Sequence, residues 1–143
     1  MRNVLVVEDD PHQRRILQKA LESYGVSVVA VASVNDAKEA LDENYEGFFS
    51  VAILDDMIIG GSGGDVLKHI RATDNIMPVL FLSARSDVIA NRLYEGADNY
   101  LVKPQSPETI AAYVDSAISR LSAITSTVEN RARKAANHTG TQN

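Results

Sequence analysis

Short apolar runs alternate with longer amphipathic segments through the first 121 residues, and this alternation restricts the fold more than any other feature of the chain. The runs are apolar nearly throughout, which is typical of strands covered on both faces; they are residues 4–7, 26–31, 49–54, 79–82 and 100–102. Strands separated by helices cannot pair as hairpins, so they form a parallel sheet with helices on both faces. The pattern predicts an α/β fold with a doubly wound five-stranded parallel sheet and five helices.

Residues that start helices follow each predicted strand. Asp10 and Pro11 have the character of an N-cap and a first-turn proline, and Gly25 is suited to end the helix that they begin. The other predicted starts are Ser33 for the second helix, Asp65 for the third, Ser86 with Asp87 for the fourth, and Ser106 with Pro107 for the fifth. Strands and helices therefore alternate strictly up to residue 121.

Four of the predicted strands are followed directly by segments that contain polar side chains. They are Glu8, Asp9 and Asp10 after the first strand, Asp55 and Asp56 after the third, Ser83 and Ala84 after the fourth, and Lys103 and Pro104 after the fifth. The carboxyl ends of parallel strands meet at one edge of a sheet, which is where such folds bind ligands. We therefore expect these residues to line one cleft.

Carboxylates crowded into such a cleft need positive charge, because an unpaired carboxylate is costly to remove from water. The chain has no cysteine and no clustered histidine, so the oxygen ligands favour Mg²⁺ over zinc. Lys103 adds an ammonium that can pair with Asp55 or with a phosphate oxygen, and Ser83 adds a hydroxyl donor. These groups together can accept and hold a phosphoryl group.

The segments that carry these residues are "VVEDDPHQRRIL", "VAILDDM", "GGDVLKHIR", "VLFLSAR" and "GADNYLVKP". In this order and spacing, over about residues 3–121, the chain resembles the response-regulator receiver domain of two-component signalling. The resemblance implies a flavodoxin-like sheet in the order 2-1-3-4-5. It also implies a signalling protein that is not an enzyme for other substrates, phosphorylated on Asp55 by a histidine kinase or a phosphotransfer protein.

The resemblance also implies roles for individual residues. They are Mg²⁺ binding by Glu8, Asp9, Asp55 and the Met57 carbonyl, phosphate binding and switching by Ser83, Ala84, Lys103 and Tyr100, and control of dephosphorylation by Met57 and Arg85. Bulky or charged side chains at the last two positions favour a long-lived phosphorylated state. Tyr100 can equally be read as a packing residue.

Asp55 and Asp56 compete for the role of nucleophile. The spacing of Asp55 to Ser83 and Lys103 is the one that the family uses, so Asp56 is interpreted as a helper or a solvated neighbour. The chain departs from the family's pattern at Ile59, where many members have proline and where "GGSGG" follows, and at Gln105, where phenylalanine is common. Glycine permits many backbone conformations, so this loop is expected to be unusually flexible, and the turn around Lys103 to be looser.

The composition changes near residue 121, which divides a receiver domain, 1–121, from an extension, 122–143, that is helical and then disordered. A heptad spacing predicts that the last helix runs from Pro107 to about Lys134. Its apolar seam, a candidate dimer contact, consists of Val114, Ala117, Leu121, Ile124 and Val128, continuing from Ile110. A partly frayed tail is the alternative, because serine and threonine are indifferent helix formers.

Composition and length narrow the function further. The net charge of −5 argues against binding to nucleic acid or to a membrane, and the amino terminus has no signal peptide, so a cytoplasmic protein is expected. Residues 122–143 leave no room for a DNA-binding domain, which predicts a stand-alone response regulator acting on a protein target, or a phosphorelay or phosphate-sink intermediate. An aspartate-nucleophile phosphatase would need an aspartate in place of Met57. A flavodoxin-like cofactor carrier would need a phosphate-binding loop after the first strand.

Overall fold

The apolar runs of the sequence form the strands of a central sheet, and the amphipathic segments form helices on its two faces. The structure is a computed structural model that describes residues 2–73, 76–85, 87 and 89–140. The strands are β1 Asn3–Val7, β2 Ser27–Val31, β3 Phe49–Asp55, β4 Met57–Ile58, β5 Gly61–Ser62, β6 Val79–Ser83 and β7 Asn99–Val102. The helices are α1 Pro11–Glu22, α2 Val34–Asp42, α3 Gly63–Thr73, α4 Ile89–Tyr94 and α5 Pro107–Gly140.

The five-stranded sheet has the order β2-β1-β3-β6-β7, and every pair in it is parallel. This is the predicted order 2-1-3-4-5 once the short pair β4 and β5 is set aside, so the fold prediction is confirmed. In β1, Val6 lies opposite Ala30 on one side and Ile53 on the other. The strand order reverses beside β1, which places a ligand-binding crevice at the carboxyl ends of β1 and β3.

Successive residues of β1 feed two separate hydrophobic cores, as expected for a strand buried on both faces. Leu5 and Val7 pack with α2 and α3 on one face, and Val4 and Val6 pack with α1 and α5 on the other. Burial on both faces holds the strand ends rigidly in place. The side chains that follow the strands are therefore held in place as well.

The helix starts agree with the predicted capping residues for α1, α2 and α5, where the Ser106 hydroxyl oxygen accepts the Thr109 N–H at 3.1 Å, and differ for α3. Asp10 accepts hydrogen bonds from the N–H groups of His12 and Gln13 at 2.8 and 3.1 Å, and Ser33 caps α2. Helix α3 begins at Gly63 rather than at the predicted Asp65. Helix α4 begins at Ile89, and Ser86 of the predicted start lies outside the described residues.

The glycine-rich loop after β3 forms a small antiparallel hairpin, β4 with β5, and its expected flexibility stays a prediction. The Val34 N–H donates to the Ile59 carbonyl at 3.0 Å, and the Gly63 N–H donates to the Asp56 carbonyl at 3.0 Å. A Cβ on Gly63 would collide with the Asp55 carbonyl oxygen and with the Phe81 ring. The glycine is therefore needed because backbone passes very close to backbone here.

The structure corrects the predicted dimer seam on α5. Val114 and Ala117 are buried in the chain's own core, so they are not available to a second copy. Val128 lies farther along the helix and is 59% exposed. Leu121 and Ile124 lie within α5, but their side chains are outside the described part of the structure.

Helix α5 is 34 residues long and continues past the predicted end near Lys134 to Gly140. The disordered tail expected at the end of the chain would include residues 141–143, which lie outside the described residues. No helix in the described part of the chain is both long and apolar enough to cross a membrane.

Candidate functional site

A cavity of about 480 Å³ opens at the carboxyl ends of the strands. It is lined by residues at or just after the ends of β1, β3, β6 and β7, including Glu8, Asp55, Ser83 and Lys103. These residues are far apart in sequence and meet here because all four strands run parallel in one sheet. The predicted cleft therefore exists.

Three acids of this cavity form one group, which we call the acidic cluster: Glu8, Asp9 and Asp55. Each offers a carboxylate oxygen, and the three oxygens lie within 4.8 Å of one another. Glu8 and Asp55 are buried and Asp9 is partly exposed. Such close negative charges repel unless a cation lies among them.

Lys103 supplies part of the balancing charge. Its Nζ donates to Asp55 Oδ2 at 2.7 Å and lies 3.5 Å from Glu8 Oε1. Burial alone would lower the pKa of Lys103, but the hydrogen bond and charge of Asp55, with the charge of Glu8, raise it. Lys103 is therefore a permanent cation at the strand end.

The surroundings of Glu8 indicate that a cation belongs beside its carboxylate. Burial, together with the hydrogen bond and charge of Asp55, raises its pKa to about 8 against the opposing effect of Lys103. Within the described residues, Glu8 Oε2 is buried without a hydrogen-bond partner. An orphaned oxygen in a cluster of hard oxygen ligands fits a bound Mg²⁺, which the acidic cluster could hold.

Asp56 has a cation of its own, which the sequence reasoning missed. Arg92 of α4 donates through Nε to Asp56 Oδ1 at 2.9 Å, and its Nη2 lies 2.9 Å from the same oxygen. The Asp56 side chain is 7% exposed, so the interpretation as a solvated neighbour is wrong. Arg92 lies 36 residues after Asp56, on helix α4, and no motif in the sequence pairs the two residues.

Arg92 is fixed in place by more than its ion pair. Its guanidinium lies over the Phe81 ring, 5.6 Å from the ring centre, and also pairs with Glu95. A Cβ on Gly64 would collide with the same guanidinium. Glycine in the first turn of α3 thus leaves room for the arginine that neutralises Asp56.

Three of the predicted phosphate-binding and switch residues line the cavity: Ser83, Ala84 and Lys103. Ser83 is buried, and its hydroxyl oxygen accepts the Arg85 N–H at 3.0 Å. Tyr100 on β7 is 37% exposed. Ala84, Met57 and Arg85 line the cavity, and the Met57 side chain is exposed.

The turn that carries Lys103 is tied together by Gln105. The Gln105 side-chain amide donates to the Val102 carbonyl at 2.9 Å, which closes the turn across Lys103 and Pro104. This hydrogen bond is a tie that the sequence reasoning did not foresee, and the looser turn stays a prediction. The peptide between Lys103 and Pro104 is cis.

Comparison with known proteins gives one consistent result. The family model described as "Response regulator receiver domain" matches residues 4–115. The protein named "Uncharacterized transcriptional regulatory protein YkoG" of Bacillus subtilis (strain 168) is 36% identical over 118 residues, covering 81% of this chain and 50% of that protein. The phosphate regulon transcriptional regulatory protein PhoB of Escherichia coli (strain K12) is 32% identical over 125 residues, covering 85% and 53%.

A solved structure is similar as well. The Francisella response regulator 1452 receiver domain matches with a TM-score of 0.75 and 26% identity, covering 83% of this chain and 98% of that one. The chain thus spans about half the length of the curated relatives it matches and nearly all of an isolated domain.

Proposed function

The chain belongs to the response regulator receiver domain family, and on this premise we propose that it accepts a phosphoryl group on Asp55 from a histidine kinase or a phosphotransfer protein. The observation that carries the proposal is the contact of 2.7 Å between Lys103 Nζ and Asp55 Oδ2 beside the rest of the acidic cluster. It supports the proposal because a nucleophile, a charge clamp and a metal site would then share one cavity.

Phosphoryl transfer needs one free carboxylate oxygen on Asp55. Lys103 holds Oδ2, which leaves Oδ1 to attack phosphorus. A bond forms between Oδ1 and phosphorus while the bond from phosphorus to the donor breaks, and the donor leaves with the electron pair of that bond. Mg²⁺, held by the acidic cluster and the Met57 carbonyl, would supply neutralising charge, and Lys103 supplies the rest.

The same residues can convert phosphorylation into a change of shape. The phosphoryl group adds about two negative charges beside Ser83, and we propose that its hydroxyl leaves the Arg85 backbone to bond a phosphate oxygen. Ala84 lies beside it, and Tyr100 fills the vacated space, which remodels the face formed by α4 and β7. Moving the balance from mostly off to mostly on takes about 5.5 kcal/mol, within reach of a few charge-assisted hydrogen bonds.

The output of this switch is a change of protein contacts. The curated relatives are named transcriptional regulators and are about twice as long as the matched region, so the stand-alone regulator stays a prediction. Three other expectations also stay predictions. They are the absence of nucleic-acid and membrane partners, the cytoplasmic location, and the slow dephosphorylation set by Met57 and Arg85. Self-association through the exposed end of α5 near Val128 is part of the proposal.

Intact-mass spectrometry tests the proposal directly. Incubation with acetyl phosphate and Mg²⁺ should add the mass of one phosphoryl group, and chelation of Mg²⁺ should prevent the addition. Asp55→Asn should abolish the addition, whereas Asp56→Asn should still gain one phosphoryl group. Modification that persists in Asp55→Asn and disappears in Asp56→Asn would reverse the assignment of the nucleophile.

A further inference from the structure

Two neighbouring aspartates at the end of β3 each have a separate cation. Asp55 contacts Lys103 from the segment after β7, and Asp56 contacts Arg92 from α4. Both carboxylates line the same cavity and both are buried. Their environments therefore differ in the cation that each one faces, not in their depth.

Without Arg92, the Asp56 carboxylate would lose its close cation. Arg85 lines the cavity and its charge also interacts with Asp56, but it pairs with Asp87 at 2.7 Å and its side chain is 56% exposed, so its charge is largely screened by water. An unpaired, buried Asp56 would add a full negative charge to a cavity wall that already holds the acidic cluster.

Arg92 offsets negative charge that lies beside the acidic cluster. Its contacts with Asp56, which lines the cavity, and with Glu95 place one positive charge between two carboxylates. Without that charge, the surroundings of the cavity would be more negative, which would attract a cation more strongly and repel an anionic phosphodonor.

We propose that Arg92 is a positioning residue that keeps Asp56 out of the phosphoacceptor chemistry: it holds the Asp56 carboxylate against α4 and offsets its charge beside the acidic cluster. This inference rests on the proposed function, because it concerns the same site. It assigns to α4 a part in the reaction as well as in the switch.

Opposite shifts of two measured quantities identify this role. Arg92→Met should bind Mg²⁺ about three- to tenfold more tightly, because the Asp56 carboxylate would no longer be paired with a guanidinium. The same variant should be phosphorylated by acetyl phosphate, at saturating Mg²⁺, about three- to tenfold more slowly, because the donor is an anion. Loss of an ordinary structural contact would instead weaken metal binding and slow the reaction together.

Second-site variants complete the test. Asp56→Asn, which leaves Arg92 paired with Glu95 alone, should shift the Mg²⁺ dissociation constant in the opposite direction, and the double variant should return it to within about twofold of the wild type. Arg92→Lys should keep most of the wild-type affinity. Arg71→Met is the matched control: Arg71 is 15% exposed and pairs with Asp98 at 2.9 Å toward the other edge of the sheet, so its loss should leave Mg²⁺ affinity unchanged.

Calorimetric Mg²⁺ titration of the full chain separates the possible failures. If Arg92→Met and Asp56→Asn shift the affinity in the same direction, or not at all, the charge-balancing role is overturned. If Arg92→Met does not fold, the shift in Asp56→Asn decides the question alone. If the wild-type chain binds Mg²⁺ but is not phosphorylated, the proposed function fails. The Mg²⁺ titrations of the variants still test the effect of Arg92 on the charge of Asp56.

Discussion

Replacing Glu8 with glutamine should stabilise the metal-free protein at alkaline pH. Glu8 is 9% exposed at the side chain, and burial together with the Asp55 carboxylate raises its pKa from 4.5 to about 8. The folded protein therefore holds a proton on Glu8 that the unfolded chain releases between these values. The free energy of unfolding must then fall as the pH rises from 4.5 to 8, because charging Glu8 is harder in the folded state.

The size of the effect follows from the shift. Each pKa unit corresponds to about 1.4 kcal/mol, so the whole shift would cost the folded state about 5 kcal/mol above pH 8. The cavity is open to water, which relieves part of this cost, and we expect about 2–3 kcal/mol. Glu8→Gln has no charge to bury, so it should exceed the wild type by this amount at pH 8 and match it near pH 4.5.

Urea unfolding in the presence of EDTA, followed by circular dichroism from pH 4.5 to pH 8, measures the difference. Saturating Mg²⁺ should reverse the order of the two proteins at the upper pH, because only the wild type keeps its full set of carboxylate ligands. Glu46→Gln, at an exposed glutamate, is the control and should not diverge from the wild type. If the wild type and Glu8→Gln run parallel over the whole range, the raised pKa of Glu8 is not a property of the folded protein.

Three other substitutions or truncations test separate parts of the molecule. Lys103→Met should slow phosphorylation of Asp55 at least about tenfold, because a charge-assisted contact worth about 1.5–3 kcal/mol is lost; an unchanged initial rate with acetyl phosphate would contradict this. Gly63→Ala should lower the free energy of unfolding by about 2–3 kcal/mol in urea titrations, because its methyl group meets the Asp55 carbonyl and the Phe81 ring, and an unchanged midpoint would refute the close approach. A chain cut after Leu121 should sediment as a monomer at concentrations where the full chain is dimeric, and equal masses would dismiss association through the end of α5.

Local patterns in the chain are enough to predict the sheet and most of the residues that line the cavity. Apolar runs such as that of β1 are covered on both faces, and only a parallel sheet between two helical layers satisfies five of them separated by helices. Parallel strands then bring their carboxyl ends together whatever the details of packing. The meeting of Glu8, Asp55 and Lys103 therefore followed from local pattern and chain order.

Tertiary packing decided the environment of the residues whose partners have no fixed spacing. Asp56 is buried and paired because α4 packs where Arg92 can reach it over Phe81. The rotation of a short helix about its axis cannot be predicted from the periodicity of a strand. The loop after β3 is an ordered hairpin because the start of α2 donates to the Ile59 carbonyl, a contact between distant segments. Local sequence fixes what a residue can do, but contacts across the chain fix the charge and the backbone that it meets, since these depend on distance in space.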